Sequence, residues 1–123
     1  MSKAAMSVQV FAGYLLLLGL VLVLSPNTLL RAFRMAPTGE VWIRVVGMLV
    51  LVLAFYYWNA AHAGLTGFFG WTVAARTSVL LFFIAFVVAG YAPPTLILFG
   101  IVDVAGAVWT ALALRGEAGH RTA

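Results

Sequence analysis

Four side chains carry a charge inside or beside long apolar runs of this sequence: Glu40, Arg44, Arg76 and Asp103. An ionised group within a hydrocarbon-spanning helix costs roughly 2.5 to 3.5 kcal/mol on insertion scales, so it normally faces protein, water or an opposite charge. We therefore predict that these residues form an intramembrane charge network, and we take them as the candidate functional residues of the chain.

Two of these residues, Arg44 and Asp103, are expected to lie at the same depth in the membrane and to have small neighbouring residues. At a rise of about 1.5 Å per residue, Arg44 and Asp103 lie about 9 to 12 Å below the same membrane face. In the second span Gly47 lies on the same helical stripe as Arg44, and in the fourth span Gly100 lies on the same stripe as Asp103. A small residue beside a charge is typical of a helix–helix interface in lipid. We expect a direct, structural ion pair between the two residues. A proton or ion relay and a substrate-binding charge are the alternatives.

Arg76 enters the apolar region from the opposite face and has no carboxylate at its own depth. A long cationic side chain can extend along the helix to a lipid phosphate. We expect this lipid contact, with a triad that includes Asp103 or an anionic ligand as the alternatives. Arg76 is then predicted to be dispensable for assembly of the bundle.

Composition fixes the elements that must hold these charges. The 123-residue chain is 65% hydrophobic and 8% charged, whereas soluble domains are roughly 45 to 50% apolar and about 25% charged. Apolar runs at residues 8–24, 40–61, 69–90 and 95–114 each have the length that a bilayer core requires. They predict a single all-α domain, a four-helix transmembrane bundle running up-down-up-down with short loops. Residues 26–39 are expected to form an interfacial connector, and residues 115–123 a solvated tail.

The remaining polar and aromatic residues indicate a lipid environment and no cofactor. Tyr56, Tyr57 and Trp58 near the end of the second span are predicted to form an interfacial aromatic belt. The chain has no cysteine, and His62 and His120 stand alone, so we expect no metal site and no haem. Its few basic residues are scattered, which favours membrane lipid as the partner and excludes a nucleic-acid patch.

An even number of spans places both termini on one face. Three basic residues lie on that terminal face and two on the opposite connector face: Lys3, Arg115 and Arg121 against Arg31 and Arg34. The positive-inside rule then predicts cytoplasmic termini, in a bacterial inner membrane.

In size the chain is close to the small multidrug resistance transporters, which carry an essential glutamate in their first span. It departs from that family because its first span has no carboxylate and its deep one, Asp103, lies in the last span. With residues 40–47 opening span two and residues 99–103 in span four, the chain resembles small uncharacterised four-span bacterial membrane proteins. That resemblance implies no activity.

Minimal loops leave no soluble catalytic surface, and the sequence contains no nucleophile elbow, phosphate loop or zincin motif. We therefore expect a structural or accessory membrane protein, a small subunit of a larger complex or a homodimer, rather than an enzyme. The alternative is a small dimeric transporter or channel whose polar path is lined by Asp103, Arg44 and Arg76.

Overall fold

The protein is built from helices. The structure, a computed structural model, describes the backbone of residues 1–122 and the side chains of residues 1–119. Five α-helices follow one another in the described chain, with one 3-10 turn at Pro94–Leu96: α1 Lys3–Leu24, α2 Pro26–Ala32, α3 Trp42–Ala63, α4 Thr66–Val88 and α5 Ile97–Thr122. The four long helices are apolar enough to cross a membrane, so the predicted all-α four-helix bundle is confirmed.

The first helix begins earlier than predicted, at Lys3 rather than residue 8. Ser2 is its N-cap, and the Ser2 hydroxyl accepts a hydrogen bond of 3.0 Å from the Ala5 N–H. Serine in this position satisfies one of the N–H groups that have no partner within a helix. A polar cap therefore starts the helix ahead of the uniformly apolar run.

The segment predicted as a solvated tail, 115–123, continues α5 as far as Thr122, and Arg115, Gly116, Ala118 and Gly119 are exposed. The Glu117 carboxylate accepts a hydrogen bond of 3.0 Å from the Ala4 N–H in the first turn of α1. A carboxylate is favourable there, since free N–H groups and the positive end of the helix dipole meet at a helix N-terminus. The side chains of His120 and Arg121, and all of Ala123, lie outside the described residues.

The connector, residues 26–39, contains the short helix α2. Pro26 occupies the first turn of α2, where the missing N–H costs nothing. Leu30 is buried while Arg31 is exposed, which gives the segment one apolar face. The Phe33 ring packs on Phe99 of α5 with centroids 4.2 Å apart.

The helices do not form a closed square. α1 packs extensively against α3 and also against α5, while α4 packs mainly against α5. α3 and α4 make few contacts although a short turn joins them. Two glycines allow the α1–α3 contact: a Cβ at Gly47 would lie 2.8 Å from the Leu22 Cβ, and one at Gly19 would lie 3.0 Å from the Gly47 carbonyl oxygen. The close packing of one helix pair therefore coexists with a gap between another.

Candidate functional site

An apolar groove occupies the gap between α3 and α4. Its volume is about 320 Å³, and the residues that line it come from all four long helices and the connector. α1, α5 and the connector contribute lining residues beside those of α3 and α4. The groove is lined by Tyr14, Leu15, Leu18, Leu22, Leu29, Leu30, Phe33, Met35, Ile43, Val46, Val50, Leu53, Val79, Phe83, Leu96, Phe99 and Asp103.

Asp103 is the one charged residue in this lining. Its side chain is half-buried, and it lies six residues into α5, about 9 Å from the start of that helix. Within the part of the chain that the structure describes, no donor hydrogen-bonds to the carboxylate, and its charged neighbour is Arg76. A carboxylate that can only accept hydrogen bonds thus faces an apolar space in which Tyr14 is the one other polar side chain of the lining.

Arg76 organises a separate polar cluster in the interior of the bundle. Its side chain is 2% exposed. Nη2 donates to the hydroxyls of Thr72 and Thr110, each at 2.9 Å, and Nε donates to the Thr72 carbonyl at 3.2 Å. The guanidinium also lies over the Phe11 ring, 4.7 Å from its centroid. The Thr110 hydroxyl in turn shares a hydrogen bond of 2.7 Å with Ser7.

The expectation that Arg76 reaches a lipid phosphate is therefore wrong. The depth estimate placed no carboxylate beside Arg76, but it overlooked neutral acceptors. Threonine hydroxyls one turn away on α4 and across on α5 accept from the guanidinium, and an aromatic face attracts its charge. One donor, Nη1, remains without a partner among the described residues. Arg76 thus joins α1, α4 and α5.

The predicted ion pair between Arg44 and Asp103 is not confirmed. Arg44 is exposed, and its Nη1 donates to the Val23 carbonyl oxygen in the last turn of α1. Because α3 begins at Trp42, Arg44 lies only about 3 Å into the helix, well above the level of Asp103. The last carbonyls of a helix lack intrahelical partners and carry the negative end of its dipole, so the end of α1 binds the guanidinium instead.

Glu40 lies outside the helices, two residues before α3, and its side chain is exposed. Its backbone N–H donates to the Thr38 hydroxyl at 3.0 Å. The four residues of the predicted charge network therefore occupy three places: the connector face for Glu40 and Arg44, the groove for Asp103, and the interior cluster for Arg76. Within the predicted network, Asp103 and Arg76 are the two residues that interact electrostatically.

The predicted aromatic belt divides between two faces. Tyr56 and Trp58 are 56% and 46% exposed, as a belt requires, but Tyr57 is 7% exposed. Tyr57 packs on Phe11 and makes an edge-to-face contact with Phe68, with centroids 5.9 and 5.5 Å apart. Consecutive helical residues point about 100° apart at 3.6 residues per turn, so three neighbours cannot all face lipid.

The sequence interpretation missed two features of the site. Tyr14 was not among the predicted site residues, yet it lines the groove with Asp103. Ser7 and Thr110 were not assigned to the network, although both are 1% exposed or less. Small hydroxyl residues on the inner faces of neighbouring spans are the signal that could have identified the cluster, since such residues hydrogen-bond across helices in lipid.

No group of His, Cys, Asp and Glu that could hold a metal ion occurs among the described residues. His62 contacts its own helix, with Nδ1 2.9 Å from the Trp58 carbonyl oxygen. Comparison of the chain with protein-family models, curated proteins and solved structures finds no match. The site must therefore be interpreted from its own geometry.

Proposed function

We propose that this chain is an accessory multi-pass membrane protein that binds a lipophilic molecule in the groove between α3 and α4. One observation carries the proposal: a groove of about 320 Å³ has apolar walls and a single carboxylate. Ligand sites in proteins start at about 300 Å³ and combine mostly apolar walls with a few polar groups. The groove has both properties.

The packing of the rest of the bundle supports a binding role for the gap. Protein interiors are close-packed, with few voids larger than a water molecule, and the α1–α3 contact is close enough to require glycines. A bundle with a purely structural role gains nothing from separating α3 and α4, because the separation loses dispersion contacts. An occupant would restore those contacts.

The dimeric transporter with a polar path through Asp103, Arg44 and Arg76 receives less support. Of these three residues, Asp103 alone lines the groove. Arg76 donates to Thr110 in the interior cluster, and Arg44 donates to the Val23 carbonyl at the end of α1. A role as a subunit of a larger complex or as a homodimer stays a prediction. Purification from native membrane, followed by the mass of the assembly, tests it.

Photolabelling tests groove binding directly. The protein is placed in phosphatidylcholine nanodiscs, labelled with a dodecane that carries a diazirine, and mapped by peptide mass spectrometry. We expect labels on groove residues of α3 and α4. Val50→Phe should reduce this labelling, because residue 50 lines the groove. Val52→Phe is the matched control on the same helix, where the native side chain is exposed and outside the lining.

Equal labelling of the groove residues in both valine variants would contradict the proposal, since a larger side chain at residue 50 must occupy part of the groove. Labels restricted to outward-facing residues would contradict it in the wild-type protein already. The second result corresponds to ordinary lipid contact.

We also propose a bacterial inner membrane with cytoplasmic termini. Support for this orientation is the excess of three basic residues over two on the terminal face. Reporter fusions after residue 123 decide the orientation: activity of a reporter that works only outside the cytoplasm would reverse it.

A further inference from the structure

The Asp103 carboxylate determines what kind of polar group an occupant can bring. Tyr14 is the one other polar side chain in the lining, which is otherwise apolar. Ionised carboxylates only accept hydrogen bonds, and a polar group without a partner in an apolar site is costly. Any molecule that fills the groove therefore gains by donating a hydrogen bond to Asp103.

Charge balance in the bundle favours a neutral donor. Arg76 is nearly inaccessible, and its hydrogen-bond partners are neutral oxygens. Its guanidinium interacts electrostatically with the Asp103 carboxylate, so the two charges have opposite sign. A cationic ligand would leave the charge of Arg76 unbalanced and would itself lose its hydration. An anionic ligand would meet the like charge of Asp103.

We infer that the groove takes a neutral long-chain molecule ending in a hydrogen-bond donor, of the alcohol class, with its hydroxyl on Asp103. This inference rests on the proposed groove-binding function and adds the chemistry of the polar end. The hydroxyl supplies a donor to the carboxylate, and it leaves the internal charges balanced.

Groove dimensions set the orientation of the chain. Ile43 and Leu53 both belong to the lining, and their separation of ten positions spans about 15 Å along α3. Asp103 lies seven residues beyond Leu96 of the lining, which is about 10 Å along the α5 segment. The hydroxyl then lies in the deeper part of the groove, and the alkyl chain runs towards Phe33 and the connector.

The inference is tested by competition between the diazirine probe and four molecules that have the same chain length but different end groups. The competitors are dodecan-1-ol, dodecane, dodecanoate and dodecylammonium, added to wild-type protein in phosphatidylcholine nanodiscs. We expect dodecan-1-ol to displace the probe at a concentration at least about tenfold lower than any of the others, because hydrogen bonds to a charged acceptor are the strong ones.

Variants identify the acceptor. Asp103→Leu should abolish the preference for dodecan-1-ol over dodecane and should allow dodecanoate to bind better than it does to the wild-type protein. A merely damaged groove would weaken all competitors together. If Asp103→Leu fails to fold, Asp103→Asn keeps the size of the side chain and should relieve the exclusion of dodecanoate. Glu117→Gln is the control, because this carboxylate lies at the start of α1 and outside the groove lining.

Each other outcome overturns a defined statement. Equal displacement by all four competitors, or a stronger effect of dodecylammonium, would overturn the alcohol inference while the groove-binding function stands. A preference for dodecan-1-ol that survives Asp103→Leu would also overturn it, since the hydroxyl would then bind elsewhere. Absence of probe from the wild-type groove would instead contradict the proposed function itself.

Discussion

Replacing Arg76 by methionine should destabilise the bundle, although the sequence alone predicted that Arg76 is dispensable. Methionine keeps an unbranched apolar stem and removes every donor. The change deletes the hydrogen bond from Nη2 to Thr110 and the contact of the guanidinium with the Phe11 ring. Both interactions join α4 to a different helix, so their loss affects the tertiary structure rather than α4 alone.

The expected magnitude follows from these two interactions. Hydrogen bonds between membrane helices average about 0.6 kcal/mol and reach about 1.7 kcal/mol, and cation–π contacts contribute about 0.5 to 2 kcal/mol. Their sum predicts a loss of about 1 to 4 kcal/mol for Arg76→Met. Arg44→Met is the matched control: its side chain is exposed and binds one carbonyl, so its loss should stay below about 1 kcal/mol.

Titration with sodium dodecyl sulphate in mixed micelles, followed by tryptophan fluorescence and circular dichroism, measures both free energies of unfolding. Arg76→Met should unfold at a clearly lower mole fraction of the denaturing detergent than Arg44→Met. Indistinguishable midpoints for the two variants would refute the interior placement of Arg76. Loss of a buried arginine that donates three hydrogen bonds should lower the free energy of unfolding more than loss of an exposed one.

Three further changes test the packing around the site, each by the same unfolding titration. Gly106→Ala should cost about 1 to 3 kcal/mol through overpacking, because its Cβ would lie 2.9 Å from an aromatic carbon of α1, whereas Gly70→Ala meets nothing within 4 Å and should be neutral or slightly stabilising. Tyr57→Ala should cost about 3 to 5 kcal/mol, and Tyr56→Ala much less, because the first ring is buried and the second exposed; equal losses would contradict the division of the belt. Thr110→Val should cost about 1 to 3 kcal/mol by leaving the buried Nη2 donor of Arg76 without this acceptor, since the Thr110 hydroxyl joins Arg76 to Ser7; an unchanged midpoint would exclude the cluster.

The fold could be predicted from the sequence because hydropathy and length act locally. Four apolar runs of bilayer length correspond to the four long helices, and the turn and connector fall near the predicted positions. Helix ends were less accurate where a specific contact decides them. The Ser2 cap moves the start of α1, and the Glu117 contact with Ala4 accompanies the extension of α5 into the segment predicted as a tail.

The candidate site was predicted only in part, because depth along a helix does not give direction around it. Asp103 was singled out from the sequence and lines the groove. Because α3 begins at Trp42, Arg44 lies in its first turn, where it is exposed and binds the end of α1. Nor can a sequence show a gap between helices. The groove arises because α3 packs on α1 while α4 packs mainly on α5, which leaves few contacts between α3 and α4.

The most direct test of groove binding is a set of intermolecular nuclear Overhauser effects between dodecan-1-ol and methyl-labelled protein in nanodiscs. Val50 and Val79 line the groove, whereas Val52 and Leu81 are exposed on the outer faces of α3 and α4 and are not part of the lining. We predict stronger contacts from the alkyl chain to Val50 and Val79 than to Val52 and Leu81. Val50→Phe should weaken the contacts within the groove. Contacts to the outer methyls alone would contradict groove binding.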